Sequence, residues 1–384
     1  MSKKKVIVAG HICLDITPVF SEGRAGGADS LLSPGKLIQM GKADVHTGGA
    51  VANTGLAMKI LGADVSLMGK VGNDAFGQIV LNLLKAYDAD GGMIISDKAT
   101  TSYSVVLAMP GIDRIFLHHP GANDYFLAED VPEEALAEAA LFHFGYPPLM
   151  SAMYAGEGAE LIKLMKTAKG KGCATSLDLA SVDANSPAGR ADWGKILAGV
   201  LPYVDFFVPS IEELCFMLDR PRFESWQERA VGGDITEILD VKKDIEPLAK
   251  QCMALGCRVL LLKCGAPGMY YCTAGAERLS QVGGRVELDV QAWADRSGFE
   301  ESYVPERVLS GTGAGDTSIA AFLTAMLEGY GLEECMHLAA GTGAGCVAGY
   351  DALSGLMSFD ELKGKIAAGW EKRQRAGRGS FQER

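Results

Sequence analysis

The chain has 384 residues, of which 48% are apolar and 22% are charged, a composition typical of a globular protein with a large core. Its 48 acidic side chains outnumber its 36 basic ones and give a formal net charge of −12, which argues against a general nucleic-acid-binding protein, because such proteins present a basic face. No apolar run approaches the roughly 20 residues that a membrane-spanning helix needs.

The cysteines and the beginning of the chain indicate where the protein works. The nine Cys are an odd number and form no C-x-x-C pair, which favours a reduced compartment over a disulfide or zinc framework. The first residues resemble a secretory signal only superficially, because His11 and Asp15 interrupt the apolar run and no small-residue cleavage site follows. We therefore predict a cytoplasmic protein with neither a membrane nor a nucleic acid as partner.

Short apolar runs alternate with amphipathic segments, a pattern typical of a parallel sheet with crossover helices. The predicted strands cover residues 5–9, 64–68, 141–144, 174–178, 206–208, 259–263 and 268–271. The predicted helices include residues 51–61, 76–85, 155–169, 211–218, 241–255 and 317–327. Ligands of open α/β sheets bind outside the carboxyl ends of the strands, so we expect the chemistry there.

Two stretches interrupt this alternation. Residues 13–46 are loop- and strand-like, with glycines at Gly23, Gly26 and Gly27, and a turn at 110–113 joins two further short strands. We predict that the segments at about 13–47 and 100–120 form a small antiparallel β flap, or lid, inserted in a single domain of residues 1–384. The exposed edge of such a lid suggests a homodimer formed through the lids.

Other segments are expected to lie outside the core. The acidic stretches 219–240 and 285–306 are typical of surface insertions, and they are candidates for contacts between subunits. The polar, glycine-containing tail at 371–384 is expected to be frayed.

The segment 310–316, Ser-Gly-Thr-Gly-Ala-Gly-Asp, places a carboxylate directly behind consecutive amides of small residues. The helix predicted after it adds a positive dipole end at the same place. This arrangement suits phosphoryl transfer to a hydroxyl, because the amides stabilise charge on the moving group while Asp316 takes the hydroxyl proton. The letters GTGAG recur at 341–345 with Cys346 in place of the carboxylate, and we interpret that copy as small residues that allow close helix packing.

Five further features follow strands or begin helices. They are Asp15 after the first strand, Gly48-Gly49 with Asn53 in the helix that follows, Asn123, the segment 210–213, and the segment 263–268. Together with the segment 310–316 they resemble the ribokinase (PfkB) family of sugar and nucleoside kinases, in order from about residue 6 to residue 356. The most specific parts are the Gly-Gly…Asn segment with residues 61–77 downstream of it, and the GTGAGD segment.

The resemblance implies a fold and an activity. The fold is a three-layer α/β/α core with a mainly parallel sheet, plus a small β lid. The activity is ATP-dependent phosphorylation of a hydroxymethyl group on a small sugar or sugar-like substrate, with ATP and Mg²⁺ as cofactors. No G-x-x-x-x-G-K-[ST] segment occurs, which argues against a P-loop kinase.

The resemblance also assigns a role to each matching residue. Asp316 would be the catalytic base, and the anion hole for the transferring phosphoryl group would be formed by Gly313, Ala314 and Gly315. Substrate hydroxyls would be held by Asp15, Gly48, Gly49, Asn53 and Asn123. The nucleotide would be bound by Ser210, Lys263, Gly265, Gly268 and Thr312. Glu213 would organise Mg²⁺ through water, and Asp178 is a candidate to lie near phosphate or Mg²⁺, with an ordinary cap as the alternative.

The sequence departs from the family pattern at two positions. Ser210 replaces the Asn of the family's Asn-x-x-Glu motif, and Ser310 replaces an acidic residue in a stretch that helps several members bind an activating K⁺. The substitution at Ser310 puts dependence on K⁺ in doubt. Two alternatives stay open: a nucleoside kinase, and a non-catalytic homologue that senses a sugar or a nucleotide.

Overall fold

The computed structural model describes residues 3–20, 34–35, 37–108 and 115–374. The strands of the main sheet are β1 (Lys5–Gly10), β4 (Asp64–Met68), β9 (Leu141–Gly145), β10 (Ala174–Leu177), β11 (Phe206–Phe207), β12 (Val259–Lys263), β13 (Gly268–Thr273) and β14 (Ser297–Glu301). A smaller sheet contains β2 (Cys13–Thr17), β3 (Asp44–Gly48), β7 (Tyr103–Leu107) and β8 (Ile115–His119), and a short pair consists of β5 (Lys70–Gly72) and β6 (Ile94–Ser96).

Helices lie between most of these strands. In chain order they are α1 (Ala50–Ile60), α2 (Ala75–Lys85), α3 (Glu133–Glu138), α4 (Ser151–Gly170), α5 (Trp193–Val200), α6 (Ile211–Leu218), α7 (Arg220–Ala230), α8 (Glu246–Leu255), α9 (Ala276–Leu279), α10 (Val290–Trp293), α11 (Ala314–Leu327), α12 (Leu332–Cys346) and α13 (Phe359–Ala367). Within the described ranges, no helix has the length and apolar character required to cross a membrane.

The main sheet is buried on both faces, because successive side chains of a strand point to opposite sides. Val6 and Val8 of β1 belong to a hydrophobic core that includes α1, α11 and α12, whereas Ile7 and Ala9 belong to a second core that includes α4 and α8. The predicted three-layer α/β/α arrangement is therefore confirmed.

The strand order is β14-β13-β12-β11-β10-β9-β1-β4. Pairing is parallel from β4 through to β12 and antiparallel at β13 and β14. The sheet is thus mainly parallel, as expected. The interpretation of residues 285–306 as a surface insertion is wrong, since this segment supplies the edge strand β14 and the buried Trp293.

The smaller sheet forms the predicted lid, but it is not antiparallel throughout. β2 pairs antiparallel with β3 and parallel with β7, while β7 pairs antiparallel with β8. The predicted turn at 110–113, Gly23, Gly26 and Gly27 lie outside the described residues, and the homodimer through the lid edges β3 and β8 stays a prediction.

Three other segments differ from expectation. The helix predicted at 155–169 begins at Ser151 and is interrupted by non-helical backbone from Ala155 to Gly158. The acidic stretch 219–240 contains α7, whose Trp226 is fully buried. Residues 371–374 are not frayed: Lys372 forms a β-bridge with Tyr303 and an ion pair with Glu300. The rest of the tail lies outside the described residues.

Candidate active site

The GTGAGD segment begins α11 at the carboxyl end of the main sheet. Gly313 precedes the helix in a left-handed conformation with φ 75°, which glycine adopts without the penalty that other residues incur. Its position also requires glycine, because a Cβ there would lie 2.3 Å from the Cβ of Ala352. The amides of Ala314 and Gly315 are in the first turn, where N–H groups have no partner within the helix. The segment thus has the geometry of a helix N-terminus, where anions bind in other proteins, and the anion hole itself stays a prediction.

Asp316 lies in that first turn and is only 4% exposed. Its Oδ2 accepts a hydrogen bond of 3.0 Å from Nδ2 of Asn53, and its Oδ1 accepts one of 2.6 Å from the phenol of Tyr146. The hydroxyl of Thr54 lies 3.5 Å from the same Oδ1. The resemblance assigns Asn53 to the substrate, and that role stays a prediction; in this structure its amide donates to the carboxylate of Asp316.

The two glycines before α1 are required by close approach. A Cβ on Gly48 would lie 2.1 Å from Oδ2 of Asp15, and one on Gly49 would lie 2.5 Å from Nδ1 of His11. Gly49 also has φ 86°. Gly48, Gly49 and Asp15 therefore lie close together at the base of the lid, and their binding of substrate hydroxyls stays a prediction. Burial raises the pKa of the Asp15 carboxyl, whose Oδ1 accepts a hydrogen bond from the thiol of Cys13.

Asn123 is held by backbone groups. The side chain is completely buried, its Oδ1 accepts from the backbone N–H of Ile12, and its Nδ2 donates to the carbonyls of Ile12 and Pro120. These bonds fix the connection between β1 and β2. The binding of a substrate hydroxyl by Asn123 stays a prediction.

Lys263 and Asp178 meet below the first turn of α11. Nζ of Lys263 lies 2.8 Å from both carboxylate oxygens of Asp178, which is fully buried. A Cβ on Gly315 would lie 3.2 Å from Cδ of Lys263, so the lysine stem runs beside the anion-binding amides. Burial opposes the charge of Lys263, but Asp178, Glu213 and Asp316 outweigh it and raise its pKa.

The remaining predicted nucleotide residues lie in loops next to this pair. Ser210 and Glu213 cap α6 reciprocally: the hydroxyl of Ser210 accepts from the Glu213 N–H, and Oε2 of Glu213 accepts from the Ser210 N–H. Gly265 and Gly268 both have positive φ in the tight turn between β12 and β13. Thr312 donates its backbone N–H to the hydroxyl of Ser310.

Sequence reasoning missed three side chains that border the site, namely Tyr146, Thr54 and His11. Tyr146 and Thr54 contact Asp316. His11 and His118 approach each other at 3.3 Å between Nε2 atoms and connect the core to lid strand β8. Thr54 and His11 are next to the motifs that the sequence analysis recognised, so their positions could have indicated that they belong to the site. No motif lies next to Tyr146.

With this geometry in place, the comparisons with known proteins are decisive. The model of the pfkB family of carbohydrate kinases matches residues 3–356. The chain belongs to this family. The recognition made from the sequence is thus confirmed. Among solved structures, an Arabidopsis thaliana ribokinase complexed with ribose and ATP superimposes with a TM-score of 0.66 at 20% identity, covering 94% of this chain and 98% of that one, which shows the same fold.

Curated relatives are named as sugar kinases. Fructokinase-1 of Zea mays is 32% identical over 101 residues, which cover 26% of this chain and 31% of that protein. An uncharacterized sugar kinase of Archaeoglobus fulgidus is 20% identical over 303 residues, which cover 78% of this chain and 98% of that protein. The match to the maize enzyme is therefore partial, whereas the match to the archaeal protein extends over nearly its whole length.

Proposed function

We propose that this pfkB-family protein transfers the γ-phosphoryl group of ATP to a hydroxymethyl group of a small sugar. One observation carries the proposal: the buried carboxylate of Asp316 lies in the first turn of α11, behind the left-handed Gly313, and faces Asn53 of α1. A carboxylate suited to act as a base and a helix N-terminus thus lie together, and Asp15 with Gly48 lies at the base of the lid. The ribose and ATP in the Arabidopsis ribokinase structure agree with this pair of substrates.

The chain's own residues supply most of the chemistry. Asp316 accepts the proton of the substrate hydroxyl. At the same time the hydroxyl oxygen forms a bond to the γ-phosphorus, and the bond from that phosphorus to the departing ADP oxygen breaks. The amides of Gly313, Ala314 and Gly315 stabilise the charge on the transferring group. Asp15 binds hydroxyls of the sugar from the base of the lid, and the lid limits access of water.

Mg²⁺ is the metal that this reaction requires, and it is normally held by phosphates, water and one or two carboxylates. In the described part of the chain, no group of three or more His, Cys, Asp or Glu side chains is placed to hold a metal alone. Glu213 fits an indirect role, since capping engages only its Oε2. Asp178, held by Lys263, is the second candidate. When bound, Mg²⁺ would neutralise charge on the nucleotide phosphates. The effect of K⁺, which Ser310 puts in doubt, is left to the assay.

The test is an ADP-release assay with Mg²⁺ and ATP against ribose, fructose, 2-keto-3-deoxygluconate, other ketoses and nucleosides, with and without K⁺. We expect a sugar to be phosphorylated, and we expect Asp316→Asn to lower kcat by about 100- to 10,000-fold, the usual contribution of a general base, while sugar binding persists. Asp360→Asn is the control, because that carboxylate is 97% exposed on α13. Turnover by Asp316→Asn close to that of the wild type would refute the role of Asp316.

A further inference from the structure

Tyr146 has an unusual backbone conformation for its residue type. It follows β9 directly, with φ 66° and ψ 41°, and precedes Pro147 and Pro148. A left-handed conformation is unfavourable for a residue with a Cβ, and such conformations persist only where the surrounding structure requires them. The consequence here is specific: the turn directs the tyrosine ring into the candidate active site.

The phenol of Tyr146 makes a short contact with the proposed base. Its hydroxyl donates to Oδ1 of Asp316 at 2.6 Å, although the two residues are 170 positions apart in sequence. Burial, followed by the neighbouring carboxylate of Asp316, raises the pKa of this phenol well above its usual range. The hydroxyl is therefore protonated at neutral pH and acts as a donor.

This contact occupies the position that catalysis needs. Oδ2 of Asp316 accepts a hydrogen bond from Asn53. The short hydrogen bond to Oδ1 comes from the phenol of Tyr146. A general base must be hydrogen-bonded to the hydroxyl whose proton it takes. A phenol and a hydroxymethyl group present the same O–H donor to a carboxylate, and each carboxylate oxygen offers two lone-pair directions. The phenol fills one direction of Oδ1, so an incoming hydroxyl competes with it there.

We propose that the hydroxyl of Tyr146 is a placeholder for the substrate hydroxyl at Asp316. The sugar displaces this tyrosine hydroxyl, whereas water does not. The inference rests on the proposed function. A sugar contributes additional binding through hydroxyls held at Asp15, and this binding offsets the loss of the phenol contact. A water molecule has no such additional contacts. Tyr146 would thereby set the preference of the site for sugar over water as phosphoryl acceptor.

The side reaction that this arrangement suppresses is hydrolysis of ATP. In that reaction the oxygen of water forms the bond to the γ-phosphorus, the bond to the ADP oxygen breaks, and the proton of water passes to Asp316. With one direction of Oδ1 engaged by Tyr146, a water molecule must compete with the phenol to be oriented there for deprotonation. Once the sugar is bound, the phenol has left, so it has no part in the transfer to the sugar.

The test compares Tyr146→Phe with the wild type in the full-length protein, with Mg²⁺ and ATP. We expect ADP release without sugar to rise about tenfold, the factor that corresponds to one hydrogen bond, and KM for the sugar to fall, with kcat nearly unchanged. Tyr125→Phe is the matched control, because that side chain is 53% exposed, and it should match the wild type. Tyr146→Asn is a second variant that tolerates the left-handed backbone, so it separates loss of the phenol from loss of folding.

Each outcome decides the inference. If Tyr146→Phe and Tyr146→Asn lower kcat without raising sugar-independent ADP release, the phenol stays on Asp316 during transfer and the placeholder role is wrong. Should the wild type phosphorylate no acceptor in the panel, the proposed function fails separately. In that case a rise in ATP hydrolysis on removal of the phenol still supports the inference, and unchanged hydrolysis overturns it.

Discussion

Lys263 combines a stabilising role with a functional one. It forms a bidentate ion pair with the fully buried Asp178, and its own side chain is only 13% exposed. Removing one partner of a buried ion pair leaves an uncompensated charge, which usually costs about 3–5 kcal/mol. We therefore expect Lys263→Met to lower the free energy of unfolding by that amount, measured by urea denaturation.

A matched lysine tests this explanation. Lys195 pairs with Glu157 at the surface, where the side chains are 62% and 69% exposed, and such pairs contribute about 0–1 kcal/mol. Lys195→Met should leave the free energy of unfolding within about 0.5 kcal/mol of the wild type. Equal losses in the two variants would show that burial of the Lys263–Asp178 pair is not the cause.

Single residues also show how far the sequence could predict this site. The sequence around Asp316, Gly313 and Asp15 is enough to indicate their chemistry, because each belongs to a short motif. The pairing of Lys263 with Asp178 was not predicted, although both were expected at strand ends. Tyr146 was missed entirely, because nothing in its local sequence distinguishes a core aromatic residue from one directed at a carboxylate 170 positions away.

Among the elements, the two GTGAG copies show that identical letters serve different structures. The first begins α11, whereas the second lies inside α12, as predicted. In the second copy, Gly345 is buried against the loop before α13, and a Cβ there would lie 2.9 Å from the backbone oxygen of Gly355. The absence of a side chain at Gly345 thus allows close packing.

This packing can be measured by adding one methyl group. We expect Gly345→Ala to lower the free energy of unfolding by about 1–3 kcal/mol, because the backbone of Gly355 must move. Gly364→Ala in α13 is the control, since no atom lies within 4 Å of a Cβ there, and alanine in an exposed helix position should stabilise the protein by about 0.5–1 kcal/mol. Destabilisation by both variants in denaturant titrations would contradict the packing role of Gly345.

Strand β14 was missed by sequence reasoning because it buries a charged residue. β14 contains the letters SGFEE, which lack the alternation of a half-buried strand. Its Glu300 is nevertheless only 8% exposed, because Lys372 from the end of the described chain pairs with it. A residue far away in the sequence thus compensates for the buried charge of Glu300. The sequence around Glu300 alone does not indicate this pairing. The buried central strands, in contrast, were predicted because continuous apolar runs mark them.

At the scale of the whole molecule, buried neutral histidines link the core to the lid. His143 is completely buried in β9, and His11 follows β1 and meets His118 of lid strand β8. Burial lowers the pKa of His143 to about 3 and that of His118, with a smaller contribution from His119, to about 4. Burial also lowers the pKa of His11 well below its usual range.

These shifts determine how stability responds to acid. In the unfolded chain a histidine has a pKa of about 6.5, so at pH 5 the unfolded state binds protons that the folded state does not. The free energy of unfolding therefore rises with pH in this range. The contribution of His118 is fully present above about pH 6.5 and is lost as the pH falls towards 4, with a slope of at most about 1.4 kcal/mol per pH unit.

The variant His118→Gln isolates this contribution from that of the many carboxylates. Its free energy of unfolding, measured by urea titration between pH 4 and 7, should depend less steeply on pH than that of the wild type, because one group that gains a proton on unfolding is gone. Leu117→Gln is the control on the same strand: it is 54% exposed and removes no titrating group, so it should keep the wild-type slope.

The Nε2 atoms of His118 and His11 lie 3.3 Å apart, and protonation of both rings would place like charges together between lid and core. If His118→Gln retained the full wild-type slope, proton uptake at this junction would not contribute to acid sensitivity, and the lid would be attached independently of its histidine.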